Sequence, residues 1–467
     1  MNSPLRLMAR VVIFLIFVCS KKMKILLINP PRSPENKILE SASTEARHFI
    51  HKKLIGPPLG LLTIAEAVKD HDVTVFDMKG EYDLNPDATP LEIMIADLLK
   101  EHQPDIVGVT IITSELYFSM DIFRVVKKFN PQIRTVAGGL HTTLCPHDFN
   151  DPVVDIVCPG HSAYIFKEVI KALEEKRSLE SVQGIFFNND KGFHFTGPSY
   201  IVFDPAKEHF LMPDRQHLER WRSTYAVGGN PEPATYLFSS LGCPYSCSFC
   251  SIWKEHNSCY FQRDVESLIE ELKRIDYKIV RFADANTIVN IKFINRLFDR
   301  IAEEDIHKTF IMDIRADTAV EHPGLIEKLA KNGLKVVITG FESFRDEELK
   351  QYNKRSEAKL IEQAIHIFHD NDILLRGNYV VPPDYNEDDF KALSEYANSN
   401  KVTYAGYTIL TPMPGTVYYE EMKDRIIDHD YSKYNFFNSV MQTKLPLEKF
   451  YENMGNLWLI KKGTDVI

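Results

Sequence analysis

Three cysteines within eight residues are the clearest candidates for chemistry in this sequence. Cys243, Cys247 and Cys250 have a C-x3-C-x2-C spacing and follow a short apolar run, residues 236–238, that predicts a strand. Three thiolates on one loop can bind a metal centre, and the loop contains no fourth ligand. If the centre is a four-iron cluster, one iron stays open to a substrate or cofactor. Phe249 would then lie over the cluster and exclude water.

Two other interpretations of this loop are open. A structural zinc site needs four ligands, and His256 or Cys259 could supply the fourth. Alternatively, the three cysteines are buried free thiols. The chain has seven cysteines, and the remaining four show no spacing typical of a disulfide framework. We therefore expect that the protein resides in a reducing cytoplasm and forms no structural disulfides.

Composition excludes few classes of function. The 467 residues are 44% hydrophobic and 26% charged, an ordinary globular balance, and they suffice for two or three domains. The net charge of −10 argues against a broad nucleic-acid-binding face, which is usually basic. We expect no nucleic-acid partner.

Residues 1–22 contain a short apolar run after Arg6 and Arg10. The run resembles a signal-peptide core and is too short to span a bilayer. Met23 directly precedes a good strand, so we expect an over-long gene start with Met23 as the initiator. The alternative is a tail that contacts a membrane surface.

Residues 23–175 alternate β-rich runs with helical patterns, which predicts a parallel sheet covered by helices, a Rossmann-like α/β domain. Ligands of such sheets bind at the carboxyl ends of the strands. The expected strands cover residues 25–28, 73–76, 106–112, 133–137 and 153–157.

A connector, residues 176–234, is expected to contain a β-hairpin near residues 184–195. From residue 235 the alternation resumes with longer helices. Six predicted strands in residues 235–420, among them residues 279–282 and 374–381, fit an open, partial (βα)6 barrel of the TIM type, with reactive residues at the carboxyl ends of its strands. Residues 421–467 form a short C-terminal cap.

The cysteine loop and the barrel pattern resemble the radical SAM family, in which S-adenosylmethionine (SAM) binds the open iron of a [4Fe-4S] cluster. The resemblance assigns Phe249 to the cluster and extends to the ends of later strands. It implies that Asp284 lies in an acidic turn of the SAM site, that Glu342 contacts the ribose, that Arg376 reaches the carboxylate and that Thr411 lies near the adenine. The ordinary alternatives are a turn-stabilising Asp284, a salt-bridged or helix-capping Glu342 and an ion-paired Arg376.

The first domain resembles the cobalamin-binding domain that precedes many radical SAM barrels. Three segments carry this resemblance: residues 29–31, 57–60 and 138–142. It implies a cobalamin site formed by Thr110, Ser114, Gly138, Gly139, His141 and Gly160. The Asp-x-His-x-x-Gly motif is absent, so no histidine of that motif can bind cobalt, and the usual Gly-Glu-Gly-Glu turn is replaced by residues 159–162. A domain without a ligand is the alternative, and the ordinary interpretation of His141 and His161 is a loop or surface histidine.

The resemblance as a whole is to hopanoid methylases and anaerobic magnesium-protoporphyrin ester cyclases. It implies that reduction of the cluster cleaves SAM to a radical that removes hydrogen from the substrate, and that cobalamin delivers a methyl group. We therefore expect methylation of an unactivated carbon of a small molecule or lipid, with electrons from a flavodoxin or ferredoxin. A radical cyclase, with or without cobalamin, and a zinc-stabilised scaffold are the alternatives. The tail after the barrel either lines the substrate cavity or only covers the barrel mouth.

Overall fold

The computed structural model describes residues 22–50, 56–160, 162–189, 192–198, 211–226, 232–256, 258–402 and 404–459. The expectations for residues 1–21 and for His161 lie outside the described residues. No helix that the described residues form is both long and apolar enough to cross a membrane.

The amino-terminal half is built on a seven-stranded sheet of order β2-β1-β3-β4-β5-β6-β7. Strands β1 to β5 are parallel, as the alternating pattern predicts. The strands are β1 (Lys24–Asn29), β2 (Asp72–Asp77), β3 (Ile106–Thr110), β4 (Arg134–Gly138), β5 (Ile156–Cys158), β6 (Phe186–Asn189) and β7 (Gly192–Phe195).

Helices cover both faces of this sheet. In β1, Ile25 and Leu27 pack into one apolar core, whereas Leu26 and Ile28 pack into the other. This burial on both faces explains why the strand is continuously apolar instead of alternating. The helices of this half are α1 (Lys37–Ser41), α2 (Ala46–Phe49), α3 (Leu59–Ala67), α4 (Met78–Leu84), α5 (Leu91–His102), α6 (Leu116–Phe129), α7 (Leu140–Leu144) and α8 (Ser162–Glu174). Of these, α1 and α2 do not cover the sheet, because Ile38 and Ala46 pack into the core of the second half of the molecule.

The predicted hairpin forms, but it is part of the first sheet. β6 pairs antiparallel with β5 and with β7, so the hairpin extends the parallel sheet at one edge. A 3-10 segment, Arg215–Thr224, then packs back on the same domain, where the Glu81 carboxylate accepts hydrogen bonds from Arg220 and from Trp221 Nε1 at 2.8 Å. The boundaries of the connector, like those of the other segments, stay predictions.

The second sheet has six parallel strands in sequence order, β8-β11-β12-β13-β14-β15, which is an open half-barrel. A small antiparallel pair, β9 and β10, lies beside it. The strands are β8 (Ala234–Leu237), β9 (Ser240–Gly242), β10 (Tyr260–Gln262), β11 (Ile279–Phe282), β12 (Thr309–Asp313), β13 (Leu334–Glu342), β14 (Leu374–Val381) and β15 (Gly406–Ile409).

The half-barrel is surrounded by helices that bury one face each. In the helix beginning at Ile291, the residues Ile294, Leu297, Phe298 and Ile301 are buried at helical spacing, and Asn290 caps its first turn. The helices are α9 (Ile252–Glu255), α10 (Val265–Arg274), α11 (Ile291–Glu303), α12 (Ala316–Glu321), α13 (Pro323–Lys331), α14 (Asp346–Gln351), α15 (Ala358–Asp370), α16 (Glu387–Ser399), α17 (Val417–Met422) and α18 (Leu447–Asn456).

Residues 431–438 of the tail, here called the tail strap, run from the barrel across to the first domain. Ser33 Oγ donates to the Ser432 carbonyl at 2.7 Å, and Asn435 Nδ2 donates to the Glu35 carbonyl at 2.6 Å. Tyr434 of the strap packs in an apolar cluster with the end of the barrel. The tail therefore joins the two halves of the molecule. This role differs from the two that were predicted, lining the substrate cavity and covering the barrel mouth.

Candidate active site between the two sheets

The carboxyl ends of the two sheets face one cavity of ≈ 470 Å³. Such edges are where ligands bind in open α/β sheets and where barrels place reactive residues. The first domain contributes Val109, Thr110, Gly138, Gly139, Cys158 and Gly160 to the wall, and the barrel side contributes Phe238, Ser240, Leu241, Gly242, Ala283 and Ala285.

Part of the wall on the first domain is bare backbone. A Cβ atom added at Gly60 would meet no atom within 4 Å, so no neighbour in the chain forbids a side chain there. Gly160 has the same open space, but its φ of +70° favours glycine. At Gly139 both the backbone and the space require glycine, because its φ is +99° and a Cβ would lie 2.5 Å from the Ile111 nitrogen. Open glycines on a cavity wall allow a flat ligand to approach the backbone closely.

Four of the six residues predicted to bind cobalamin, Thr110, Gly138, Gly139 and Gly160, line this cavity. Ser114 and His141 are not among its lining residues. His141 is fully buried, with Nδ1 3.1 Å from Thr113 Oγ1 and Nε2 3.0 Å from Asp148 Oδ2. The expectation of a surface histidine is thus wrong for His141.

The cysteine loop begins at a tight pairing of β9 with β10. Gly242 faces Tyr260 in this pair and has a φ of +80°. A Cβ at Gly242 would lie 2.1 Å from the Cys259 carbonyl oxygen, so only glycine fits there. The pairing fixes the point from which Cys243 leaves the strand.

A distant segment of the chain supports the rest of the loop. Ser248 N donates to the Tyr352 carbonyl at 3.0 Å, and Asn353 Nδ2 donates to the Ser246 carbonyl at 2.9 Å. Within the loop region, Trp253 Nε1 donates to the Cys247 carbonyl at 3.0 Å. These bonds hold the backbone between the cysteines, so the thiols are positioned before any metal binds.

Cations lie close to the loop thiols. Burial raises the pKa of Cys247, while Lys354 and Arg315 act in the opposite direction. Burial also raises the pKa of Cys250 to about 11. The Cys250 thiol therefore carries its proton at neutral pH and a metal must displace it, while the charges of Lys354 and Arg315 favour the thiolate form of Cys247.

Among the described residues, His141, Cys145 and Asp148 form a group of three metal-ligating side chains whose ligand atoms all lie within 4.8 Å of one another.

Two family descriptions match this chain. The radical SAM superfamily matches residues 237–397, which contain the cysteine loop and most of the half-barrel. The B12-binding domain matches residues 50–170, in the first sheet. The chain therefore contains a B12-binding domain followed by a radical SAM domain.

The curated relatives of this radical SAM enzyme match it over most of its length. An uncharacterized methyltransferase of Pyrococcus horikoshii is 27% identical over 91% of this chain and 89% of its own. The hopanoid C-3 methylase of Methylococcus capsulatus is 24% identical over 84% of this chain and 74% of its own. An anaerobic magnesium-protoporphyrin IX monomethyl ester cyclase of Rubrivivax gelatinosus is 26% identical over 75% of this chain and 64% of its own. The predicted resemblance is confirmed.

A solved structure shares the architecture of this radical SAM enzyme. It is the radical SAM methyltransferase TsrM from Kitasatospora setae, with cobalamin and a [4Fe-4S] cluster bound. The TM-score is 0.65 at 16% identity, over 86% of this chain and 74% of that one. The predicted fold, a Rossmann-like cobalamin-binding domain before a partial barrel, is confirmed.

In this enzyme Asp284 shapes the entry to the cysteine loop. Its carboxylate is buried and accepts hydrogen bonds from Ser239 N at 2.9 Å, from Ser239 Oγ at 2.7 Å and from Ser240 N at 2.7 Å. Burial raises its pKa to about 6 in spite of these bonds. The turn-stabilising role is therefore present, and a direct contact with SAM stays a prediction.

Glu342 and Lys354 form a buried ion pair beside Cys247. Glu342 Oε1 lies 2.8 Å from Lys354 Nζ, and each side chain is 12% exposed. Glu342 has a φ of +66°, which is uncommon for a residue other than glycine and occurs where the surroundings enforce it. The chain thus places one carboxylate in a strained position at the mouth of the barrel, and its contact with the ribose of SAM stays a prediction.

Arg376 lies inside the half-barrel, and no carboxylate of the described residues forms an ion pair with it. Its Nε is buried and has no hydrogen-bond partner among the described residues. Asp313, which lies near, pairs with Arg281 at 2.9 Å. Burial, with the Arg281 charge, lowers the pKa of Arg376. A cation held in this way fits an anionic group of a bound molecule. Because no carboxylate among the described residues pairs with Arg376, the ion-paired alternative is ruled out for these residues.

Phe249 and Thr411 lie in the apolar layer that closes the barrel mouth. The Phe249 ring meets the Tyr352 ring edge-on at 5.7 Å and packs against the cluster that contains Tyr434. The Thr411 hydroxyl is buried and donates to the Ile409 carbonyl at 2.9 Å. Their predicted contacts with the cluster and the adenine stay predictions.

Two cavity residues, Glu255 and Arg263, escaped prediction, and His256 was considered only as a fourth ligand of zinc. Glu255 and His256 lie at the end of the short helix α9, directly after the cysteine loop, and Arg263 follows β10; all three line the cavity. Burial raises the pKa of Glu255 to about 7 and lowers that of His256. Their position after the loop was the one available signal, because no spacing rule distinguishes them from surface residues.

Proposed function

We propose that this chain methylates an unactivated carbon of a small organic molecule, with a [4Fe-4S] cluster, SAM and cobalamin as cofactors. The observation that carries the proposal is the shared cavity. Its walls are the glycine-lined edge of the B12-binding domain and the turn that leads into the cysteine loop. A ligand on the first sheet would therefore face the radical SAM site directly.

The residues present fit each of these cofactors. The three loop cysteines, supported by the Tyr352–Asn353 backbone, would hold the cluster. The unpaired Nε of Arg376 would bind the SAM carboxylate and Glu342 its ribose hydroxyls. The open backbone at Gly60 and Gly160 would lie against cobalamin. When bound, the reduced cluster and SAM supply hydrogen abstraction, and cobalamin carries the methyl group.

The chain's own contribution is to position these molecules and exclude water. Phe249 and the tail residues around Tyr434 form an apolar cover next to the loop. Asp284 fixes the Ser239–Ser240 turn between the cavity and the cysteines. Lys354 and Arg315 place positive charge near Cys247, where thiolates must persist. A closed, apolar surrounding limits quenching of reactive species by solvent.

Anaerobic reconstitution with iron, sulfide, SAM and cobalamin tests the proposal. We expect about four irons per chain for a cluster of this type, together with formation of 5'-deoxyadenosine under a strong reductant. A methyltransferase should also form S-adenosylhomocysteine and incorporate a labelled SAM methyl group into its product. Zinc in the loop, lost on Cys259→Ala, would contradict the cluster.

The cyclase alternative gives a different result in the same assay. It predicts 5'-deoxyadenosine without S-adenosylhomocysteine and without transfer of label. Because relatives act on a hopanoid and on a magnesium-protoporphyrin ester by name, these are the first two substrates to test. We further propose that a flavodoxin or ferredoxin supplies the electron, that the enzyme works in the cytoplasm, and that a lipid substrate would bring it to a membrane surface.

A further inference from the structure

A second group of metal-ligating side chains lies apart from the cysteine loop, on the outer side of the α7 turn. His141 is on α7, Cys145 follows its last residue, and Asp148 is in the 3-10 segment Pro146–Phe149. One ligand atom from each of the three lies within 4.8 Å of the other two. The set contributes a nitrogen, a sulfur and an oxygen, a combination that zinc accepts.

The imidazole of His141 is already oriented for such a role. Nδ1 lies 3.1 Å from Thr113 Oγ1, and Thr113 is buried. When Nδ1 carries the proton and donates to this hydroxyl, the lone pair of Nε2 points at Asp148 and Cys145. A hydrogen bond from the other ring nitrogen is the usual support of a metal-ligating histidine.

The three ligands differ in burial in a way that allows metal to enter. His141 is fully buried, Cys145 is half-buried, and the Asp148 side chain is 32% exposed. Burial, and then the Asp148 charge, raises the pKa of the Cys145 thiol. A divalent cation would displace that proton and neutralise the neighbouring carboxylate.

The tail strap covers the same group of residues. The ring of Tyr431 meets the His141 ring edge-on at 5.2 Å, and Tyr431 N lies 3.4 Å from Tyr117 Oη. The fourth coordination position therefore faces the tail strap.

We infer that His141, Cys145 and Asp148 bind one zinc ion, which fastens the tail strap to the α7 turn of the B12-binding domain. The turn before α7 lines the shared cavity through Gly138, Gly139 and Leu140. An ion on the side of this turn that faces away from the cavity would stiffen the wall and hold the two domains in a fixed relative position. This site is independent of the cluster and of the proposed methyl transfer.

Zinc content and zinc-edge X-ray absorption of the full-length, iron-reconstituted chain test this site. The element-specific edge reports zinc alone, in the presence of iron and cobalt. After dialysis against metal-free buffer, we expect about one zinc per chain, with one sulfur at about 2.3 Å and nitrogen or oxygen at about 2.0–2.2 Å. Cys145→Ser should remove the sulfur from the spectrum and lower the zinc content at least tenfold, with iron unchanged.

His141→Ala and Asp148→Asn provide two further variants, so that one unfolded variant does not decide the result. Both should lose zinc. The matched controls are His147→Ala, an exposed histidine whose ring packs on Phe186, and Cys259→Ser, the cysteine beyond the loop; both should keep it. A chain without zinc, zinc with three or four sulfur ligands, or zinc retained in Cys145→Ser and Asp148→Asn would each overturn the proposal. The iron content and 5'-deoxyadenosine formed by the same samples decide the cluster separately.

Discussion

The turn that leads into the cysteine loop and the glycine-lined edge of the first sheet face the same cavity, although none of the three loop cysteines is among its lining residues. The loop and the sheet edge are built from different material. The loop depends on side chains drawn from several elements, among them Lys354, Arg315 and Asn353. The sheet edge presents mainly backbone, with open positions at Gly60 and Gly160. One wall binds by specific chemistry and the other by shape.

This difference determines how each wall responds to mutation. Removing a charged or thiol group from the loop leaves its partners buried and unpaired, which is costly. Adding a side chain at Gly60 of the first-domain wall disturbs little within the chain and acts mainly on the bound molecule, whereas Gly139 admits no side chain. The following predictions compare the two walls in this respect.

The largest effect is expected from Cys247→Ala. Because each loop cysteine supplies one of only three ligands, its loss should abolish the bound cluster, its charge-transfer absorbance and all formation of 5'-deoxyadenosine. Iron analysis and product assay of the anaerobically reconstituted protein measure this. Cys259→Ala serves as the control and should retain both, and a cluster that persists in Cys247→Ala would contradict the assignment.

Lys354→Met should destabilise the barrel strongly. The change leaves the Glu342 carboxylate buried without its partner, at a cost of about 3–5 kcal/mol. Denaturant unfolding measures the loss, and the double variant Lys354→Met with Glu342→Gln should recover much of it. The control is Lys331→Met, which removes an exposed, solvent-screened pair with Glu327 and should leave the free energy of unfolding nearly unchanged. Equal losses in the two single variants would show that burial does not govern the pair.

Asp284→Asn should change how stability depends on pH. The folded-state pKa of about 6 lies above the ordinary value of 3.8, so this group's stabilising contribution is present below about pH 4 and is lost as the pH rises through 6. The wild type should lose on the order of 3 kcal/mol from this group over that window, and the asparagine variant should not. Unfolding free energies at pH 4.5 and 7 measure the difference. The exposed Asp97→Asn is the control, and a wild-type slope that survives in Asp284→Asn would refute the assignment.

The sequence predicted the barrel more closely than the first domain. The strands expected at residues 279–282 and 374–381 have the bounds that the structure shows, because each is a β-rich run flanked by strong helices. The last parallel strand of the first sheet was expected at residues 153–157 but is Ile156–Cys158. Apolar residues before Asp155 pack in the core as loop, which a pattern alone does not distinguish from a strand.

The candidate site was predictable where side chains carry the chemistry in a fixed spacing. Cys243, Cys247 and Cys250 were found for this reason. The support from Tyr352 and Asn353 was not, because a carbonyl and a side-chain amide there bond to loop residues about a hundred positions away. Residues 57–60 were part of the resemblance to a cobalamin-binding domain, but Gly60 was not assigned to the site, since an open glycine in a helix does not show which surface it faces.

Gly60→Leu should weaken cobalamin binding severalfold and leave the rest of the protein unchanged. The residue lies on α3 at the cavity wall, and a side chain there meets no protein atom, so it would project into space that the ligand needs. Cobalamin retained per chain after gel filtration measures the effect, with iron content and melting temperature as internal references. Gly324→Leu, an equally open glycine outside the cavity, is the control. Equal retention in the two variants would remove Gly60 from the site.

The smallest expected effect is the absence of a change. Cobalamin should bind without a protein nitrogen on the lower face of cobalt, since the Asp-x-His-x-x-Gly motif is missing and His141 does not line the cavity. Both nitrogens of His141 already have partners, Thr113 and Asp148, so the ring would have to leave a fully buried position to reach cobalt. Electron paramagnetic resonance of the cobalt(II) form should therefore show no nitrogen triplets, and His141→Ala should leave the spectrum as it is. Triplets that disappear in His141→Ala or His161→Ala would reverse the comparison, because the sheet edge would then bind its ligand through a specific side chain, as the cysteine loop does.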